Sequence, residues 1–258
     1  MDLLKSSKRR SALSTVVYNA LNVGLAVAIL VVVQTAGSPL PAMLLVLLSK
    51  WRVLAVRPRY WAANIQANLV DLIVSISYVV FLYGATESLW LQIVLTLLYI
   101  AWLLILKPKS RRTAVVSQAG VAVFVGVTAL FMVSYAWPVS LVVLVMWLIG
   151  YASARHVLGA YSEMHTMLLS LVWGLVIAEL GWLTYHWAFA YDLPGFGDIM
   201  LSQAAVFALA ISFLAERTYA GLQDEREPLL GKIILPLLLC VSVITVLLLV
   251  FNEVSVSL

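Results

Sequence analysis

Asn64, Asn68, Asp71 and Ser75 follow one another by four, three and four residues, so a helix through them stacks all four on one face. The stretch they interrupt is otherwise apolar from Trp61 to Gly84, and Asp71 lies near its middle. A charged group at the centre of a buried apolar helix costs about 2.5–3.5 kcal/mol on insertion scales, so it needs a proton, a cation or a partner. A second acid, Glu179, sits centrally in a later apolar run, with Trp182 and His186 following at i+3 and i+7. If the two acids face a common interior, desolvation favours their protonated forms and a proton or cation is their natural occupant. For Glu179 the alternative is a protonated carboxyl bonded to a neighbouring helix, for example through Gln203.

Cations stand nearby in sequence. Folding the chain about Pro58 brings Lys50 level with Gln66 and Arg52 level with Asn64. The candidate binding set for a substrate or ion is therefore Asp71, Glu179, Asn64, Asn68, Lys50 and Arg52. The competing role for this layer is structural. Long basic side chains snorkel toward water, and amides join helices with hydrogen bonds worth about 0.6 kcal/mol on average.

Other combinations carry less. His156, Glu163 and His165 share one connection, but their spacing matches no strong metal pattern. His186, Asp192 and Asp198 flank a turn with Pro194, Gly195 and Gly197, which reads as a solvated turn. No phosphate-binding glycine loop, zinc-protease motif or nucleophile elbow is present. Cys240 stands alone, so it forms no intramolecular disulfide. No catalytic residue, metal site or cofactor is expected.

The elements that must position these groups are apolar runs at 14–34, 39–56, 61–84, 88–106, 113–134, 138–154, 166–189, 199–215 and 233–251. Hydrophobic residues make up 64% of the chain and charged residues 11%, against about 45–50% and 25% in soluble domains. Runs of this length in lipid must be helices, because each backbone polar group has to be satisfied within its own segment. The expected fold is an all-α integral membrane protein, one polytopic bundle of about nine transmembrane helices over residues 1–258. Ser14–Val33 is long for a signal-peptide core and reads as a retained first helix.

The sixteen Lys and Arg residues fall in alternate gaps only, in clusters such as Lys5–Arg10, Lys50–Arg59 and Lys107–Arg112. By the positive-inside rule this places the N-terminus in the cytoplasm and the C-terminus outside, in an inner or plasma membrane. A net charge of +4 then points to anionic lipid headgroups at the cytoplasmic face rather than to nucleic acid. The second run is the shortest before its first basic residue. A re-entrant loop there would reverse every later run and put Lys107–Arg112 outside, so its helix is expected to continue through Val56. Pro236 predicts a kink in the last run. Ala204, Ala208 and Ser212, like Ala122 and Gly126, form small stripes suited to close helix approach.

Three functions compete on these residues. The first is a transporter or channel-like protein for a small solute, ion or lipid, with Asp71 and Glu179 as coupling groups and Lys50 or Arg52 attracting an anion. The second is a non-catalytic membrane subunit or assembly scaffold, in which the polar layer fixes packing or docks a protein partner. The third, ranked last, is an enzyme on a lipid-linked substrate. There Lys50, Arg52, Arg57 and Arg59 would grip phosphate, and His156 or Glu163 would act as base.

Overall fold

The computed structural model describes residues 2–187, 190–192, 199–223 and 229–250, apart from the side chains of 2–13, Arg52, 190–192, Leu229 and Val250. The described residues form an all-helical bundle with one small hairpin. Its helices are α1 (Asp2–Thr35), α2 (Leu40–Ser49), α3 (Trp61–Gly84), α4 (Leu89–Ala101), α5 (Arg112–Val133), α6 (Val139–Ala160), α7 (Thr166–Trp187), α8 (Gln203–Gln223) and α9 (Leu229–Val250). A π-helical turn, Trp102–Leu106, continues α4. Strand β1 (Ala190–Asp192) pairs antiparallel with β2 (Met200–Ser202), an addition to the all-α expectation. Eight described helical segments are long and apolar enough to cross a membrane, and α2 is a shorter apolar helix beside them. The expected turn around Pro194–Gly197 lies outside the described residues.

Helix ends follow local chemistry. The Ser88 hydroxyl accepts from the Leu91 N–H at 3.4 Å and caps α4. Pro138 precedes α6, where a missing N–H costs nothing. At the far end of α6, Ser162 adopts φ 56°, its N–H bonds the Gly159 carbonyl, and the Glu163 N–H reaches back to Leu158. This is a Schellman stop with serine where glycine is usual.

The second helix departs from expectation. It ends at Ser49 after 10 residues instead of continuing through Val56, so it is about 15 Å long, half an apolar bilayer core. The chain then descends beside the first turns of α3 through short 3₁₀ turns at Trp51–Val53 and Pro58–Tyr60. The carbonyls released by this break are taken up by side chains of α3. Trp61 Nε1 donates to Leu54 O and Val56 O, each at 3.0 Å, and Asn64 Nδ2 to Val53 O at 3.4 Å. Backbone groups released from a helix and turned away from water need partners of this kind. Lys107–Arg112, Tyr161–Glu163 and Glu216–Tyr219 meet at one end of the bundle, called here the basic end.

Two large apolar clusters and two smaller ones fill the interior among the described residues. Of the large two, one joins α1–α4 through Ile29, Val46, Val74, Leu82 and Leu103; the other joins α5–α8 through Val123, Met146, Ile177, Ala204 and Ala208. Ile73 packs against both. The Ala204–Ala208 stripe is fully buried as its spacing implies. The tightest seam, however, lies between α6 and α7. A Cβ on Gly150 would stand 2.7 Å from Ile177 Cβ, and one on Gly174 would stand 3.1 Å from the Trp147 carbonyl.

Candidate functional site

Asp71 is 7% exposed, held inside α3 where α2 and the π turn converge on it. Lys50, at the C-terminal end of α2, forms an ion pair with Oδ2. Lys107 Nζ lies 2.8 Å from the same oxygen, and Trp102 Nε1 donates to Oδ1 at 3.2 Å. Two ammonium groups and an indole thus occupy both carboxylate oxygens. Lys107 and Trp102 were not legible as partners, because five residues separate them and α-helical spacing puts them on different faces. The π turn closes that gap, with the Lys107 N–H bonding the Trp102 carbonyl at 2.9 Å.

From Asp71 a column of polar groups, buried as far as Gln92 and ending at the exposed Gln34, runs toward the end opposite the basic one. Ser75 Oγ donates to the Asp71 carbonyl at 2.6 Å and accepts from the Tyr99 hydroxyl at 2.9 Å. Tyr99 stacks on Tyr78 at 4.1 Å between centroids, and the Tyr78 hydroxyl bonds Thr96 Oγ1 at 2.9 Å and the Ala26 carbonyl at 3.2 Å. Thr96 donates to Gln92 O at 2.7 Å, and Gln92 bonds Gln34 and the Leu82 carbonyl. The column ties α1, α3 and α4 together, and no member is left unsatisfied.

The other expected residues go elsewhere. Asn64 and Asn68 are half-buried; Asn64 serves the Val53 carbonyl and Asn68 donates to Asn64 O at 2.8 Å, so neither touches Asp71. Arg52 sits in the 3₁₀ turn after α2, and its side chain lies outside the described residues. Glu179 is exposed on the outer face of α7 and shares no interior with Asp71. His156 is engaged by Gln118 Oε1 at 2.7 Å, while Gln118 Nε2 donates to Leu106 O at 2.6 Å and Lys109 O at 2.9 Å. Gln118 thereby closes the open carbonyls at the end of the α4 rod.

A second site, with no signal in the residue spacing, lies in the basic half of the bundle among α5, α6, α7 and α8. It is a cavity of about 700 Å³. Val116, Val123, Leu169, Trp173 and Leu209 wall its inner part, and Arg112, Tyr161, Glu216, Arg217 and Tyr219 stand at its basic-end rim. Tyr161 organises that rim. The Arg112 guanidinium lies 4.2 Å from its ring centroid, its hydroxyl donates to Glu216 Oε1 at 2.8 Å, and its ring edge meets Tyr219. Burial, with the Glu216 carboxylate beside it, pushes the Tyr161 phenol up to about 12, so it stays a donor at neutral pH. Glu163 accepts from the Tyr219 hydroxyl and from the His165 N–H, and these bonds hold its carboxyl below the usual range.

Two polar atoms in the cavity wall, Ser212 Oγ and Glu216 Oε2, are shielded from solvent and make no hydrogen bond. Arg217 Nε approaches Glu216 Oε2 at 3.6 Å, an ion pair without a good hydrogen bond. An apolar chamber with a polar rim suits a molecule that is part chain and part headgroup. Compared with protein-family models, curated proteins and solved structures, the chain matches none of them.

Proposed function

We propose that this is a polytopic membrane protein, basic end at the cytoplasmic surface, that binds a phosphate-bearing amphiphile in the α5–α8 cavity for transfer or presentation. The large lipid-compatible surface supports membrane placement: Leu97, Leu144 and Leu235 are 60%, 59% and 75% exposed, as are many like them. The carrying observation is the polarity gradient of the cavity. Its volume of about 700 Å³ lies within the range of about 300–1,000 Å³ usual for small-molecule sites. Arg112 and Arg217 stand at the rim beside Glu216, with Glu163 behind Tyr219. Arg112 and Arg217 would take the phosphate oxygens, to which the guanidinium fork is matched. The Tyr161 and Tyr219 rings would flank the first carbons of the chain.

This is the lipid branch of the transport reading, with the site moved from the midplane acids to the cavity. Ion coupling through Asp71 and Glu179 is disfavoured by their surroundings. Asp71 already holds two ammonium groups, and Glu179 faces away from the interior.

The test is binding of a long-chain alkyl phosphate to purified, delipidated protein, beside an uncharged alkyl glycoside of equal chain length. The phosphate should bind tighter, and Arg112→Ala with Arg217→Ala should weaken it by about tenfold, near 1.4 kcal/mol. Equal binding of both amphiphiles, unaffected by the arginine changes, would sink the reading.

A further inference from the structure

The inner end of the α5–α8 cavity is closed on all four helices at one level. Moving inward from the basic end, the deepest lining residues are Val123 on α5, Ser153 on α6, Trp173 on α7 and Leu209 on α8. About one helical turn further in, four residues from each, stand Val127, Ile149, Ile177 and Ala205, every one of them buried in the packed cluster of this half. Ser153, the polar residue among the four lining groups, turns its hydroxyl back to the Gly150 carbonyl at 2.9 Å. A Cβ on Gly120 would meet Leu209 Cδ1 at 3.5 Å, so α5 and α8 face each other closely at this level. The chamber ends on an apolar floor.

Helical rise gives the depth of that floor. On α8, Leu209 lies eight residues from Arg217, about 12 Å along the axis; on α5, Val123 lies eleven residues from Arg112, about 16 Å. An extended alkyl chain advances somewhat less than one C–C bond of about 1.5 Å per carbon, so about ten to twelve carbons fill this depth below a phosphate held at the arginines. A shorter chain leaves apolar wall uncovered. A longer one must fold against Leu209 and Val123 or leave the chamber, because the next turn of each helix is already packed.

We propose that this floor is a chain-length ruler, with Leu209, Val123 and Gly120 selecting amphiphiles whose chain is close to dodecyl in length. The inference rests on the amphiphile reading of the cavity and names which chain it takes. In the test, purified protein in detergent micelles is offered an equimolar mixture of octyl, dodecyl and hexadecyl phosphate, and the retained species are weighed by native mass spectrometry. Dodecyl phosphate should be retained several-fold over both others. Gly120→Leu, which raises the floor, should move the preference to octyl phosphate. Leu209→Ala, which lowers it, should raise the hexadecyl share several-fold, a gain that misfolding does not produce. Gly159→Leu, outside the cavity wall, should leave the distribution as it is. Retention that rises with chain length throughout, in the same order in all four proteins, would overturn the ruler and leave the amphiphile reading standing. Retention of none of the three would sink both.

Discussion

The α1–α4 half of the molecule and the α5–α8 half solve the same problem in opposite ways. In the first, helices are joined by polar groups: Asp71 is held by Lys50, Lys107 and Trp102, and Ser75, Tyr99, Tyr78, Thr96, Gln92 and Gln34 continue the network. In the second, α6 and α7 touch through Gly150 and Gly174, and buried hydroxyls such as Thr128, Ser153, Ser170 and Thr184 bond carbonyls of their own helices rather than joining one helix to the next. Hydrogen bonds inside an apolar bundle are directional and must all be made, and in the first half the polar groups make theirs to one another. Close packing needs no such completeness. It leaves room between α5 and α8, and unsatisfied oxygens remain there.

Breaking the hydrogen-bonded half should have the largest effect. Asp71→Leu strands two half-buried ammonium groups and should cost about 3 kcal/mol, the lower end for a broken buried pair, in thermal unfolding of the purified protein. Replacing the whole set, Lys50→Met with Asp71→Leu and Lys107→Met, should recover most of that loss. If the triple variant were as unstable as the single one, charge pairing would not be what holds this half.

Next comes the packed half. Gly174→Leu drives a side chain into Trp147 and should destabilise by about 3 kcal/mol, the upper part of the overpacking range. Gly159→Leu, at a glycine whose added Cβ would meet nothing within 4 Å, serves as control. Equal melting temperatures for the two would refute the close-contact account of α6 and α7.

A matched pair of small changes sharpens the contrast further. Ser75→Ala removes a hydroxyl that both donates and accepts, and should destabilise by about 1 kcal/mol. Ser212→Ala removes a shielded hydroxyl with no partner and should stabilise the ligand-free protein by a similar amount. Opposite signs in chemical unfolding would confirm the difference between the halves, and equal signs would erase it.

Hydrophobic run lengths alone predicted the helical bundle, because a chain 64% apolar with so few charges has no other way to satisfy its backbone in an apolar setting. The shared face of Asn64, Asn68, Asp71 and Ser75 was equally legible, since helical spacing is a local property. Tertiary structure decided what each group does with that position. The early stop of α2 at Ser49 turned Asn64 toward the Val53 carbonyl. The π turn delivered Lys107 and Trp102 to Asp71 against α-helical spacing. Helix rotation about its own axis set Asp71 inward and Glu179 outward, although both are acids near the middle of apolar runs. Rotation is fixed by which small residues let a neighbour approach, here Gly174 and Gly181 on α7. The cavity among four helices arises only from their joint packing, so no local pattern in the chain could encode it.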